Sequence, residues 1–172
     1  VAYCKLLASL LPAPLEKTYL VNSGTEAIEG ALKLARRVTG RSQLISCHNA
    51  YHGNTMGSLS VMGFEERKQV FRPLIPDIDF ITFNNEADLD KITDKTAGIL
   101  LETIQGGAGF IQPENDFLKK IVIDFSLIED LYFEKNDFMD DTKKILFDIW
   151  TDGDRPEHEI IQKIMKNETK FN

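Results

Sequence analysis

Three short polar stretches hold the residue types that could do chemistry: Ser23-Gly24-Thr25, Tyr51-His52-Gly53, and Glu102 with the glycine-rich run after it. In the first, an apolar run gives way to helical spacing through two hydroxyls around a glycine. Backbone N–H groups at a helix start lack intrahelical partners and sit at the positive end of the macrodipole, so they attract phosphate or another anion. Gly24 lets the backbone approach closely, and the Ser23 and Thr25 hydroxyls add donors. The same residues with Glu26 also spell an S-x-x-E capping box, which closes a helix with no ligand at all. In the second stretch the Tyr51 ring can stack on a planar ligand while His52 holds the loop; an ordinary turn with its Tyr packed on the core is the alternative. In the third, Glu102 ends an apolar run, where a carboxylate can bind, handle a proton or simply brace the loop.

These stretches need elements to position them. Tyr19-Leu20-Val21 has the character of a buried strand, and a helix runs from Thr25 to a close at Gly40, with Ala27, Ala31, Leu34, Ala35 and Val38 as its apolar stripe. Strands are expected at Gln43–Cys47, Ile78–Phe83 and Ala97–Leu101. Helical segments are expected at Thr55–Met62, Phe64–Phe71 and Glu86–Ile92. A further helix over Ala2–Leu11 carries Leu6, Leu7, Leu10 and Leu11 and stops at Pro12-Ala13-Pro14. This alternation predicts an α/β fold, three-layered α/β/α around a mostly parallel sheet. Ligands bind such sheets at the carboxyl ends of strands, and all three polar stretches fall there.

Composition narrows the function classes. A formal net charge of −7 over 172 residues argues against a nucleic-acid surface. No apolar run approaches the roughly 20 residues that span a bilayer, and no secretory leader is visible. Cys4 and Cys47 lack metal-type spacing and read as reduced thiols, which points to a cytoplasmic protein with no metal site. Motifs for P-loop, zincin or Ser-His-Asp chemistry are absent. Residues 1–120 hold 14 acidic and 13 basic side chains, whereas 121–172 hold 13 and 7 and only one of the eleven glycines. That shift divides the chain into a 1–120 unit and an acidic 121–172 tail. In the tail, Asp140–Trp150 and a segment opening at Pro156 read as two amphipathic helices joined at Asp152-Gly153-Asp154, without EF-hand spacing.

Three blocks in order, NSGTEAIEGALKLARRVTGR (22–41), NAYHGNTMGSLSVMG (49–63) and LLETIQGGAGFIQPENDFL (100–118), resemble the class III aminotransferases. These are the pyridoxal-phosphate enzymes that include the acetylornithine, ornithine and 4-aminobutyrate aminotransferases, and the resemblance covers about residues 1–120. It implies part of the fold type I large domain, amino-group transfer between an amino donor and a 2-oxo acid, and a homodimer with active sites at the subunit interface. It implies that Ser23, Gly24 and Thr25 hold the cofactor phosphate and that Tyr51 stacks on the pyridine ring, with His52 and Gly53 shaping that loop. Asn54, Glu102 and Gln105 would line the substrate side of the pocket.

The chain also departs from the family. Asn54 stands where the acetylornithine enzymes typically carry an Arg that grips the substrate carboxylate. The family's E-P-x-Q-G-E-G-G loop reads E-T-I-Q-G-G-A-G, without the Pro and the second Glu. After Lys120 neither the Asp-Glu strand that serves the ring nitrogen nor the Schiff-base lysine is found. Asp124 comes too early and is followed by Phe125, and Lys143, Lys144, Lys163, Lys166 and Lys170 have no family context. The expectation is a truncated chain that keeps half a cofactor site and does not transaminate by itself. Two alternatives stand beside it. One is a non-catalytic module that binds phosphate or pyridoxal phosphate and uses the acidic tail for interactions. The other is a relative with different pyridoxal-phosphate chemistry, such as an aminomutase.

Overall fold

The computed structural model describes residues 2–10 and 17–121. Helix α1 spans Ala2–Leu10 and α2 spans Gly24–Thr39. Strand β1 is Gln43–Cys47, followed by the short helices α3, Met56–Ser60, and α4, Glu65–Lys68. Strand β2 is Ile78–Ile81 and β3 is Thr96–Ile99, with a 3-10 turn over Glu86–Lys91 between them. The three strands form one sheet in the order β2-β1-β3, and both pairings are parallel. The parallel α/β expectation therefore holds in the described residues. Of the expected 121–172 tail only Ile121 is described, and it packs into the core; the rest lies outside the described residues.

Strand β1 is central because its side chains are wanted on both faces. Leu44 packs with Ile28, Leu32, Val61 and Ala97 on one side, while Ile45 and Cys47 pack with Ile81, Phe83, Leu89, Phe117 and Ile121 on the other. A strand buried on both faces reads as a continuous apolar run, and QLISC nearly is one. Helix α2 covers the first face. The second is covered by the 86–92 turn and by a helical stretch over 117–121. Lys68 is buried and closes the end of α3, donating to the Met62 carbonyl at 2.7 Å while its ammonium lies 4.0 Å from the Phe80 ring centroid.

Several expectations need correcting. Tyr19-Leu20-Val21 is not a strand: Tyr19 is 81% and Leu20 60% exposed, and no strand of the described sheet lies alongside to pair with it. Local β-propensity cannot supply the ladder partner that a strand requires. Helix α2 does close at Gly40, in the left-handed conformation at φ 67°. However, its buried residues are Ile28, Ala31, Leu32 and Thr39, with Leu34 exposed and Ala27 and Val38 only half-buried. The sheet takes the face next to the expected one. The 64–71 segment is a four-residue α-helix continued by a 3-10 turn over Gln69–Phe71. The third and fourth expected strands end early, at Ile81 and Ile99. In α1, Leu6 is exposed, and the side chains at 7, 10 and 11 lie outside the described set.

Candidate cofactor-binding site

Helix α2 begins as its capping residues dictate. Ser23 is extended and its Oγ accepts the Glu26 N–H at 3.3 Å, while the Glu26 carboxylate accepts the Asn22 N–H at 2.7 Å. The capping box is thus formed. It spends the Ser23 oxygen and the Glu26 N–H, and leaves the N–H groups of Gly24 and Thr25 outside the helical ladder, as at any helix start. The Thr25 hydroxyl does not face outward with them. It lies 2.8 Å from Thr55 Oγ1 and 2.7 Å from Ser58 Oγ.

The second loop leaves the end of β1 and is welded to the first. Gly53 has φ +126°, and a Cβ there would stand 2.5 Å from Thr25 Oγ1 and 2.9 Å from Ser58 Oγ. Only glycine meets both the backbone angle and the approach. Its neighbour His52 is buried, with Nε2 3.2 Å from Ser46 Oγ on β1. Burial alone drives its pKa down to about 4, so the ring is neutral at neutral pH. His52 ties the loop to β1 through Ser46. Tyr51 projects from the same loop, 43% exposed, with its phenol oxygen accepting from Asn54 Nδ2 at 3.1 Å. A half-exposed aromatic ring beside an open helix start is a surface on which a planar, anionic ligand can sit.

The third loop closes on the second. The Glu102 carboxylate accepts the Tyr51 N–H at 3.2 Å, and the buried Gln105 side chain donates to the His48 carbonyl at 2.9 Å. Gln105 and Ile111 form an antiparallel bridge that folds the glycine-rich stretch back on itself. The bend brings Gly107 near Tyr51, where an added Cβ would lie 3.8 Å from the Tyr51 Cβ. Glu102 stands three residues beyond β3 and not at its end. Cys47 is not reactive here: burial, with Glu102 and Asp88 adding negative charge, pushes its thiol up to about 12.

One residue of this region was not singled out from the sequence. Glu29, one turn into α2, accepts from Thr55 Oγ1 at 2.6 Å and from the N–H groups of Gly57 and Ser58 at 2.7 and 3.2 Å. Desolvation raises its pKa, but the hydrogen bonds from Thr55, Ser58 and Gly57, with Lys33 nearby, outweigh that and hold it below the usual range. The T-x-x-S spacing of Thr55 and Ser58, a helix-start pattern, was the available signal that an acceptor was needed there.

A parallel α/β sheet with a helix start packed against the loop after β1, and the loop beyond β3 closing on that loop in turn, is the fold of the pyridoxal-phosphate transferases of fold type I. Comparison with known proteins gives the family: the aminotransferase class-III model matches residues 1–123, and the chain belongs to that family. It is 44% identical over 115 residues to the LysW-aminoadipate semialdehyde/glutamate semialdehyde transaminase of Sulfolobus acidocaldarius, covering 67% of this chain and 30% of that one. It is 42% identical over 110 residues to the acetylornithine aminotransferase of Archaeoglobus fulgidus, covering 63% and 29%. Among solved structures, adenosylmethionine-8-amino-7-oxononanoate aminotransferase from Methanocaldococcus jannaschii superposes with a TM-score of 0.68 at 27% identity, covering 74% of this chain and 33% of that one. The chain therefore spans about 30% of the length of the curated relatives it matches. The family is pyridoxal-phosphate dependent. Among the described residues no helix is long and apolar enough to cross a membrane.

Proposed function

We propose that these loops are the phosphate-and-ring side of the cofactor site of a class III aminotransferase, which moves an amino group between an amino donor and a 2-oxo acid. The observation that carries this reading is the contact of Gly53 with Thr25 and Ser58. It fixes the ring-bearing loop against the anion-binding helix start, so that a phosphate and an attached aromatic ring can be held together. Gly24 and Thr25 would hold the phosphate through their N–H groups, and Ser23 through its exposed hydroxyl. Tyr51 would cover the pyridine ring. Glu102 and Gln105 fix the height of that loop, and Glu102 places a negative charge on the substrate side, where it favours a cationic amine. When bound, the cofactor supplies an aldehyde that takes up the amino group and a ring that withdraws electrons from it.

In this reading residues 1–120, with Ile121 packed into the same core, form one partial domain and the rest of 121–172 a separate acidic segment, and a second copy of the chain completes the site as a homodimer. No lysine of the sequence stands in the family's Schiff-base context, so by itself the chain is inferred to bind cofactor without transaminating. Titration with pyridoxal phosphate, then borohydride reduction and peptide mapping, tests both parts. Saturable binding that is lost in Gly24→Trp, with no reduced adduct on a single lysine, is the expected result. Absence of binding sinks the cofactor reading, and one specific adduct sinks the inactivity.

A further inference from the structure

We infer that Glu29 is a positioning residue of the phosphate site, and that it sets which groups of Thr25 face the anion. The inference rests on the cofactor reading above and follows from counting protons. Three hydroxyls, those of Thr25, Thr55 and Ser58, lie within 3.0 Å of one another. Glu29, held ionised by its surroundings, can only accept, so the 2.6 Å contact takes the single Thr55 hydroxyl proton. The 2.8 Å contact between Thr25 and Thr55 must then be donated by Thr25. If the Thr25 proton turned outward to a phosphate, two oxygen lone pairs would face each other at that distance. The Ser58 proton is left to serve Thr25 at 2.7 Å or the Thr55 carbonyl at 3.1 Å.

Thr25 thus offers the anion its backbone N–H and keeps its hydroxyl in the interior. This revises the expectation that the hydroxyl would be a phosphate donor. The same carboxylate collects the Gly57 and Ser58 N–H groups, so α2, α3 and the Gly53 contact meet at one acceptor. All three bonds go to a single oxygen, Oε1. A Gln at this position can therefore keep them, whereas Ala cannot.

The test compares the affinity of the full chain for pyridoxal 5′-phosphate and for pyridoxal, whose ratio isolates the phosphate contribution, with unfolding midpoints measured separately without ligand. Glu29→Ala releases the Thr55 proton to Thr25 and so frees the Thr25 hydroxyl to donate to the anion. It is expected to raise the ratio by about tenfold, the worth of one well-placed bond to a charged group, and Glu29→Gln to leave it at the wild-type value. Thr55→Val removes the oxygen that claims the Thr25 proton while leaving the carboxylate its two backbone bonds, and should raise the ratio even if Glu29→Ala fails to fold; a fall in the ratio overturns the proposal. A merely structural role would move the midpoint and leave the ratio unchanged; that result overturns the proposal alone. A wild-type ratio near one overturns the cofactor reading, and this proposal with it.

Discussion

The two sides of the candidate site are built in different ways. The loop after β1 is tied to the core: His52 is buried against Ser46, Gly53 lies on Thr25 and Ser58, and Gly63 packs on the backbone of Cys47, Asn49 and Ala50. The helix-start side is entered through Thr18–Asn22, where Tyr19 and Leu20 stand in solvent, and its cap is made of exposed side-chain bonds. Buried contacts that leave no room cost several kcal/mol to disturb, whereas an exposed cap bond is worth about 1 kcal/mol. The comparison teaches that the Tyr51 loop is the fixed wall and the start of α2 the adjustable one.

The strongest way to break that contrast is Gly53→Ala. The added methyl collides with Thr25 at a φ of +126°, and the expected loss is about 4 kcal/mol in urea unfolding. A loss under about 1 kcal/mol would place the loop among tolerant surface turns. Next comes His52. Its folded pKa, about 4, lies below the ordinary 6.5, so between those values the unfolded chain binds more protons. Its contribution is complete above pH 6.5 and is lost as pH falls toward 4, at most on the order of 3 kcal/mol. His52→Gln should flatten the stability–pH curve in that window, and an unaltered curve would assign the pH dependence elsewhere. Ser23→Ala on the adjustable side should cost about 1 kcal/mol by the same measurement. The smallest effect is expected for Leu20→Ser, within about 0.5 kcal/mol, because its side chain is already largely in water. A large loss there would show that the segment packs against something.

The fixed wall was legible in the sequence and the adjustable one only in part. Strand β1 and the close of α2 at Gly40 follow from local signals, an apolar run and a glycine able to take φ 67°. The three polar stretches stood out because each interrupts an apolar run with glycine, and the fold does bring them together. Tyr19–Val21 misled because strand propensity is local while pairing is not. The buried face of α2 was misplaced because Ala27, Leu34 and Val38 are as apolar as Ile28, Ala31 and Leu32, and only the sheet decides between them. Glu29 was overlooked because nothing in its own residue type separates a carboxylate with three donors from a solvated one. Its partners lie 26 to 29 positions away.

The central claim is that the start of α2 and the Tyr51 loop hold one phosphorylated aromatic ligand between them. Residue-resolved amide shifts of the full chain on adding pyridoxal 5′-phosphate test it most directly. The account predicts the largest changes at Gly24, Thr25 and Tyr51, with those at Gly24 and Thr25 absent when pyridoxal replaces the phosphate ester. Shifts confined to other surfaces, or the same shifts with pyridoxal, would contradict it.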